Sequence, residues 1–429
     1  MLGIFKLKEH GTSVKTEALA GFTTFLTMMY IVPVNAIIMS QTGMPMDALI
    51  TGTALVTIFS TFLTGIYANT PVAMSVGMGL NAYFTFGLVL GMKIPWQEAL
   101  GVVFLSGILF VIVSFTKFRL WIIDSIPHDL RRAISAGIGA FLAFIGLKQM
   151  GIIVDNPATL VALGDLSDTN VLIGIFGLSF ALILSAWRVK GAFIISVLIA
   201  SCLGWALGVK ELPKELFSLP ASIAPIALEL NIKGVLMLSM LPVILTFMIT
   251  DMFDSLGTLA GVGYRSGIFR DSRSKEFERT LQVDAFATVG GSMLGLSTTT
   301  SFLESASGVE EGGRTGLTAV FTALFFVLTL FMLPLFSAIP ENAIYPVLVV
   351  VGILMFSELQ YIDFSDFAIS VAVFAIVLFM PFTYSITNGL ASGLVLYVFM
   401  RVVRGEWKHI SRGLVFLALI SLIPFLFHS

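Results

Sequence analysis

The sequence predicts an all-α polytopic membrane protein with fourteen spanning segments in inverted 7+7 repeats, segments 3 and 10 being interrupted by extended stretches. Three observations predict it. The 429 residues are 57% hydrophobic and only 12% charged, with a mean hydropathy of +0.98, where soluble domains carry about 25% charged residues. Apolar stretches long enough for a bilayer recur along the whole chain; residues 18–46, 48–92 and 367–400 contain no Asp, Glu, Lys or Arg at all. Corresponding signals then recur in two halves, as set out below. A water-soluble fold has no way to hide so much apolar surface. The net charge of −2 comes with no basic face, which excludes nucleic acid as a partner.

Taken in order, the candidate spans are 17–40, 46–67, 70–90, 97–116, 131–152, 169–187, 190–209, 236–262, 277–296, 297–311, 315–337, 342–358, 365–381 and 384–403. A hydrophobic tail at 412–427 is either a further span or an interfacial helix. Residues 1–10, with Lys6 and Lys8 but no cleavable apolar region, read as a small amphipathic helix on the membrane surface rather than a signal peptide. With the N-terminus placed in the cytoplasm, 19 of the 24 basic residues fall at cytoplasmic ends, among them Lys117, Arg119, Arg131, Arg132, Arg265, Arg270 and Arg273. Only Lys93, Lys148, Lys210, Lys214 and Lys233 fall outside. The positive-inside rule selects this orientation.

The repeat shows in two places. Ile126-Pro127 opens a helix that runs to Gly-Leu-Lys-Gln-Met-Gly-Ile-Ile at 146–153, and Ile339-Pro340 opens a similar one that runs to Ser-Glu-Leu-Gln-Tyr-Ile-Asp at 357–363. Spans 3 and 10 are irregular in matching positions. Seven is odd, so two such halves insert with opposite orientation. In span 3, Pro71, Gly77 and Gly79 disfavour a helix, whereas Asn81 is a favoured N-cap; the expectation is an extended stretch to about Leu80 and a half-helix from Asn81. In span 10, the run Ser297-Thr298-Thr299-Thr300-Ser301 favours extended backbone, with a short helix from Glu304. Such backbone cannot face lipid and must line a cavity or be buried in protein. Paired discontinuous helices mark a substrate site, with their N–H ends turned into it. The alternative is a pair of kinked packing helices rich in small residues.

Four acids lie inside apolar spans: Asp251, Asp254, Asp284 and Glu304. A carboxylate at the bilayer centre costs about 2.5–3.5 kcal/mol on insertion scales. No Lys or Arg lies between Lys233 and Arg265 or between Arg279 and Arg314 to neutralise Asp251, Asp254 or Glu304. Such residues bind something or carry a proton. Phe247, Asp251, Asp254 and Thr258 follow i, i+4, i+7, i+11 and share a helix face, where an aromatic can stack on a planar ring and carboxylates can accept ring N–H bonds. Two acids one turn apart resist double ionisation, a device for proton coupling. The bland alternative is that one acid merely caps a neighbouring helix. Asp284 reads equally as a structural or a functional group, Glu310 and Glu311 as cytoplasmic surface residues, and Tyr384 and Asn388 as packing groups.

His10, His128, His409 and His428 lie in predicted loops or tails and Cys202 is the one cysteine, so no metal ligand set and no cofactor are expected. No phosphate-binding loop or nucleophile elbow occurs. An intramembrane aspartyl enzyme built on Asp251 and Asp254 is a rival class, but its two acids would come from one helix rather than from two segments.

The stretches Gly79-Leu80-Asn81-Ala82-Tyr83-Phe84, Asp251-Met252-Phe253-Asp254-Ser255-Leu256-Gly257-Thr258, Thr298–Gly308 and Glu311-Gly312-Gly313-Arg314-Thr315-Gly316-Leu317 resemble the nucleobase–cation symporter-2 superfamily, in particular its AzgA-like branch of adenine/guanine/hypoxanthine permeases. The resemblance covers nearly the whole chain. It implies short β-strands in segments 3 and 10. It also implies a core domain made of 17–116 (spans 1–4) and 236–337 (spans 8–11), and a gate domain made of 117–209 (spans 5–7) and 338–403 (spans 12–14). These are flanked by a cytoplasmic N-terminus (1–16) and a C-terminal hydrophobic tail (404–429). The activity implied is proton symport of purine bases across the cytoplasmic membrane by a homodimer, with protons as coupling ion. Asn81, Asp251 and Glu304 match substrate-contacting positions, with Phe247 or Phe302 available to stack on the ring. Asp254, together with Asp251 and Glu304, matches positions of binding or proton coupling. The register against Gly257 leaves open whether Asp251 or Asp254 touches the base. An anion exchanger of related fold is the alternative, disfavoured by the acids; the choice among adenine, guanine and hypoxanthine is not legible in the sequence.

Overall fold

The computed structural model describes residues 2–116, 121–122, 125–266 and 274–422. Among them, eight helical stretches are long and apolar enough to cross a bilayer: Val14–Ser40, Met46–Ala68, Trp96–Ser114, His128–Gln149, Thr169–Ala186, Leu238–Gly263, Glu341–Tyr361 and Ile386–Val403. Shorter apolar helices fill Met78–Gly91, Ala192–Ala206, Gly316–Phe331, Phe367–Phe382 and Arg412–Ser421. We number the principal elements α1 (Val14–Met28), α2 (Ile31–Ser40), α3 (Met46–Leu63), β1 (Met74–Val76), α4 (Met78–Ala82), α5 (Trp96–Ser114), α6 (His128–Gln149), β2 (Ile153–Asn156), β3 (Leu160–Leu163), α7 (Thr169–Ala186) and α8 (Ala192–Ala206). They continue with α9 (Leu241–Ser266), α10 (Lys275–Met293), β4 (Thr299–Ser301), α11 (Ser305–Glu310), α12 (Gly316–Phe326), α13 (Leu333–Ser337), α14 (Glu341–Phe356), α15 (Phe367–Phe382), α16 (Ile386–Val403) and α17 (Arg412–Ser421).

Local chemistry sets the helix starts. Ser13, Asp168, Ser274, Thr315, Asp366, Ser385 and Ser411 each cap a helix by accepting a backbone N–H in its first turn. Pro127 and Pro340 stand in extended conformation just before α6 and α14, where a missing N–H costs nothing. Gly139 lies twelve residues after Pro127 and Gly352 twelve after Pro340. These two glycines face each other: a Cβ on either would stand 2.5 Å from the other's carbonyl oxygen. Gly146 in turn faces Tyr345 and Val349, so α6 and α14 cross antiparallel at close backbone distance.

The second central contact is also antiparallel. β1 pairs with β4 in the register Met74↔Ser301, Ser75↔Thr300 and Val76↔Thr299. Hydroxyls finish what two three-residue strands cannot. Thr61 Oγ1 accepts the Met74 N–H and donates to its carbonyl, both at 3.0 Å; Ser305 Oγ accepts the Ala73 N–H at 3.0 Å; Thr288 Oγ1 accepts the Thr299 N–H at 3.0 Å. Backbone polar groups at membrane depth are thus satisfied inside the protein.

α1 packs on α12, α2 on α3, and α5 on both α9 and α10; α6 packs on α14 and α15, α7 on α8 and α14, and α15 on α16. Contacts between these two sets are sparser.

Several expectations need correction. Span 3 does not stay extended to Leu80: the strand ends at Val76, and α4 starts at Met78 with Asn81 inside it rather than capping it. Pairing with β4 fixes the strand end, because the Gly77 N–H is taken by the Thr298 carbonyl at 2.9 Å. From Tyr83 to Gly91 the helix widens to π geometry. The start of the chain is one 3₁₀ turn, Leu2–Phe5, rather than an amphipathic helix, since Lys6 and Gly11 take positive φ. α10 is helical where a span is predicted, yet it is not among the apolar ones; Gln282, Asp284 and Thr288 are buried against protein, not lipid. A hairpin of β2 and β3 follows α6 and was not anticipated. The described part of the tail 412–427 is the ten-residue α17, too short to span; Lys117, Arg119, Arg270, Arg273 and 423–427 lie outside the described residues, as does the side chain of Arg265.

Candidate functional site

A cavity of about 480 Å³ opens between the two packing sets, lined by the first residues after each strand and by one face of α9. Met78 and Gly79 come from α4, Thr300 to Glu304 from β4 and the turn into α11, and Phe253, Asp254, Gly257, Thr258 and Gly261 from α9. Opposite stand Ser135, Arg131 and His128 of α6, Phe193 of α8 and Val351 of α14. The volume falls within the roughly 300–1,000 Å³ of ordinary small-molecule pockets.

Three carboxyls line this cavity, Glu358 at its rim and Asp254 and Glu304 beside the strand ends. Glu304 stands at the N-terminal cap of α11, and its Oε1 accepts the Tyr30 hydroxyl at 2.6 Å. Asp254 projects from α9 beside Thr300 and within electrostatic reach of Glu304. A carboxylate has about four lone-pair sites, so Glu304 retains acceptor capacity for a ligand N–H. Aromatic walls accompany the acids. Phe302 and Phe253 line the cavity, the Tyr30 ring meets Phe193 edge-on at 4.9 Å, and the Arg131 guanidinium lies 6.0 Å from the centroid of Phe253. At the rim, Arg132 pairs with Glu358 at 3.8 Å and donates to the Tyr361 carbonyl.

The other predicted residues lie elsewhere. Asp251, one turn before Asp254, is 1% exposed and accepts the Thr288 hydroxyl at 2.9 Å; it does not line the cavity. Phe247 is fully buried and stacks on Tyr83 at 5.4 Å. Asn81 is fully buried, with neither amide atom hydrogen-bonded. The shared face of Phe247, Asp251, Asp254 and Thr258 is therefore divided: Phe247 is covered by Tyr83 and Asp251 by Thr288 of α10, while Asp254 and Thr258 meet open space. His128 corrects the reading that all histidines sit in loops or tails, since it opens α6 and lines the cavity. Tyr30, Phe193, Phe253, Ser135 and Arg131 were missed. Tyr30 alone left a trace, being three residues before Pro33 in a charge-free span; the missing N–H breaks the helix between Met28 and Ile31. Glu311 meets Lys190 in an ion pair. Tyr384 packs edge-on against Phe141 and Phe144. Among the described residues, no group of three His, Cys, Asp or Glu is placed to hold a metal ion.

A bundle of apolar helices enclosing two discontinuous segments and an acid-lined cavity defines a multi-pass membrane transporter. The profile of the permease family that includes xanthine and uracil permeases matches residues 15–392, and the chain belongs to that family, the nucleobase–cation symporter-2 group. It is 44% identical over 426 residues to the putative permease MJ0326 of Methanocaldococcus jannaschii, covering 99% of this chain and 98% of that protein. It is 39% identical to the adenine permease AdeP of Escherichia coli, covering 99% and 95%, and 38% identical to the guanine/hypoxanthine permease PbuG of Bacillus subtilis, covering 100% of each. Among solved structures it resembles the transmembrane domain of a cyanobacterial bicarbonate transporter, BicA, with a TM-score of 0.60, 14% identity and 96% of each chain covered. It also resembles murine Slc26a9 in the inward-facing state, with a TM-score of 0.65, 12% identity, and 91% and 69% covered. At such identities the likeness concerns the fold alone. The protein is a permease and not an enzyme, which disposes of the aspartyl-enzyme reading.

Proposed function

We propose that the protein is a proton-coupled symporter that imports purine nucleobases across the cytoplasmic membrane by alternating access. The observation that carries this reading is the convergence of Glu304 and Asp254, from two elements, on one cavity walled by Phe253 and Phe302. Relatives named as adenine and guanine/hypoxanthine permeases support the substrate class. A purine presents ring N–H groups on its edge and an apolar π face; acidic acceptors and aromatic walls complement both. In this reading Glu304 and Asp254 receive the N–H edge, Phe302 or Phe253 covers a face, and protonation of a carboxyl accompanies each base. Asp251, Asn81 and Phe247 support the site from behind the strand pair.

The fourteen spans form inverted repeats. α1–α5 with α9–α13 make a core, and α6–α8 with α14–α16 make a gate. In this reading the N-terminus is cytoplasmic, so the rim with Arg132 and Glu358 faces the cytoplasm and the cavity opens inward. The family resemblance extends this reading to a homodimer. The bicarbonate and anion transporters of like fold do not favour an anion here: Asp254 and Glu304 project into the cavity beside the strand ends, while on the opposite wall Arg132 is paired with Glu358 and Arg131 lies over Phe253.

The test is uptake of radiolabelled adenine, guanine, hypoxanthine and uracil into proteoliposomes under an imposed inward proton gradient. Concentrative purine uptake that a protonophore abolishes is expected. Uptake of no purine sinks the substrate, and uptake indifferent to the gradient sinks the coupling.

A further inference from the structure

The stretch Glu311–Leu317 carries part of the family resemblance, yet it lies outside the cavity lining. Its place in the fold ties it to Glu304. That acid stands at the start of α11, which has six residues and a length of about 9 Å. A helix so short has little stability of its own, and its last four carbonyls find no partner within it. What holds α11 therefore holds Glu304. Two side chains outside the cavity do so. Arg314 folds back on the helix: its Nη1 donates to the Val309 carbonyl at 2.6 Å and to the Gly313 carbonyl at 2.7 Å, which closes the C-terminal end of α11. Glu17, in the first turn of α1, is fully buried. Its Oε1 accepts the Arg314 N–H at 3.0 Å. Its Oε2 accepts the N–H and the hydroxyl of Thr318 at 3.0 and 2.5 Å, and the Thr315 N–H at 3.4 Å. Asn69 Oδ1 takes the Gly316 N–H and the Thr315 hydroxyl takes that of Leu317, so every N–H from Arg314 to Thr318 has an acceptor.

Close packing makes these contacts one brace with the cavity. Thr16, Ala20 and Thr24 follow i, i+4, i+8 along α1 and meet the glycines of α11 and its loop. A Cβ at Gly312 would stand 2.9 Å from Thr16 Cγ2, one at Gly313 2.9 Å from Ala20 Cβ, and one at Gly308 2.6 Å from the Ala20 carbonyl. Two residues past the other end of α1, the Tyr30 hydroxyl donates to Glu304. α1 thus grips α11 at both ends, through Glu17 and the loop at one and through Tyr30 at the other.

We infer that Glu17 and Arg314 are positioning residues for Glu304: they fix the C-terminal end of α11 and the loop behind it, and the helix holds the carboxyl where a ligand N–H meets it. Neither side chain touches the ligand. The inference rests on the proposed function in taking a purine N–H as the partner of Glu304. It adds two residues outside the cavity to those on which binding depends.

The experiment uses the full chain purified in detergent, as wild type, Glu17→Gln and Arg314→Met, each alone and combined with Glu304→Gln. Glutamine matches glutamate in shape but leaves an N–H facing at least one of the four donors; methionine keeps much of arginine's length and donates nothing. Amide hydrogen exchange is measured first, without any base. In both single variants it is expected to quicken about tenfold in residues 304–313 and to stay within about twofold in α14, on the opposite wall of the cavity. Equilibrium binding of adenine, guanine and hypoxanthine follows. For the purine that the wild type binds most tightly, each single variant is expected to lose about tenfold in affinity. In the Glu304→Gln background the same changes are expected to cost less than about twofold, because the group they position is gone. A general loss of stability would lower affinity equally in both backgrounds. Equal losses, unchanged affinity in the single variants, or unaltered exchange in 304–313 overturns the inference. So does failure of both variants to fold; if one fails, the other decides. A wild type that binds no purine defeats the proposed function, and the exchange of 304–313 then decides the brace alone.

Discussion

Glu304 and Asp254 illustrate how a few atoms determine the chemistry of the cavity. The hydroxyl of Tyr30 holds one oxygen of Glu304 at 2.6 Å, which fixes the carboxylate's direction before any ligand arrives. A hydrogen bond to a charged group contributes about 1.5–3 kcal/mol. Tyr30→Phe is therefore expected to weaken purine binding by about tenfold while leaving the fold intact, as equilibrium binding to purified protein would reveal; unchanged affinity would remove Tyr30 from the site. Glu304→Gln replaces an acceptor by a group that also donates, so a ring N–H meets a poorer partner. A loss of roughly tenfold to a hundredfold in affinity is expected, with proton-driven uptake abolished; retained concentrative uptake in this variant would exclude Glu304 from coupling. The sequence made these acids visible because a carboxyl in an apolar span is anomalous. Which of them reach the cavity and which stay buried was not visible, because helical spacing gives a face but not what that face meets. Asp251 and Asp254 share α9's face, yet only Asp254 reaches open space.

At the scale of elements, the strand pair organises everything near it. Three residues on each side cannot hold themselves at membrane depth. They are held by hydroxyls from α3 and α10, whose Ser and Thr look unremarkable in the sequence because such residues are common in packed membrane helices. Thr61→Val deletes the acceptor for the Met74 N–H while keeping shape. An orphaned backbone donor costs about 1–3 kcal/mol, so a lowered melting temperature and weaker purine binding are expected together in detergent; an unchanged melting curve would show the strand does not depend on that hydroxyl. The irregularity of spans 3 and 10 was legible from Pro, Gly and the Thr run. The point where helix resumes in span 3 was not: the N-cap preference of Asn81 lost to the register imposed by β4, which is a partner 225 residues away in the chain.

For the whole molecule, the two packing sets touch through few polar contacts: Lys190 with Glu311 at one end, Gln41 with Glu341 at 3.3 Å at the other, and Tyr83 with Thr387 at 2.8 Å between them. Sparse contact is what the proposed alternating access needs if one set is to move against the other. A thiol cross-linker joining cysteines at positions 190 and 311, in a Cys202→Ser background, is expected to stop uptake, leave purine binding within about twofold and release transport on reduction. Undiminished uptake by the cross-linked protein would exclude relative motion of the sets at that point. By itself the sequence determined that the membrane is the solvent, where the apolar helices run, that two segments are broken and which acids are exceptional, because each follows from local composition and the cost of burying charge. Only the tertiary structure decided that α6 and α14 cross at Gly139 and Gly352, that β1 finds β4, and that Asp254 and Glu304 reach an open cavity while Asp251 and Asp284 are buried. Those outcomes depend on contacts between segments hundreds of residues apart, and no local pattern encodes which surfaces will meet.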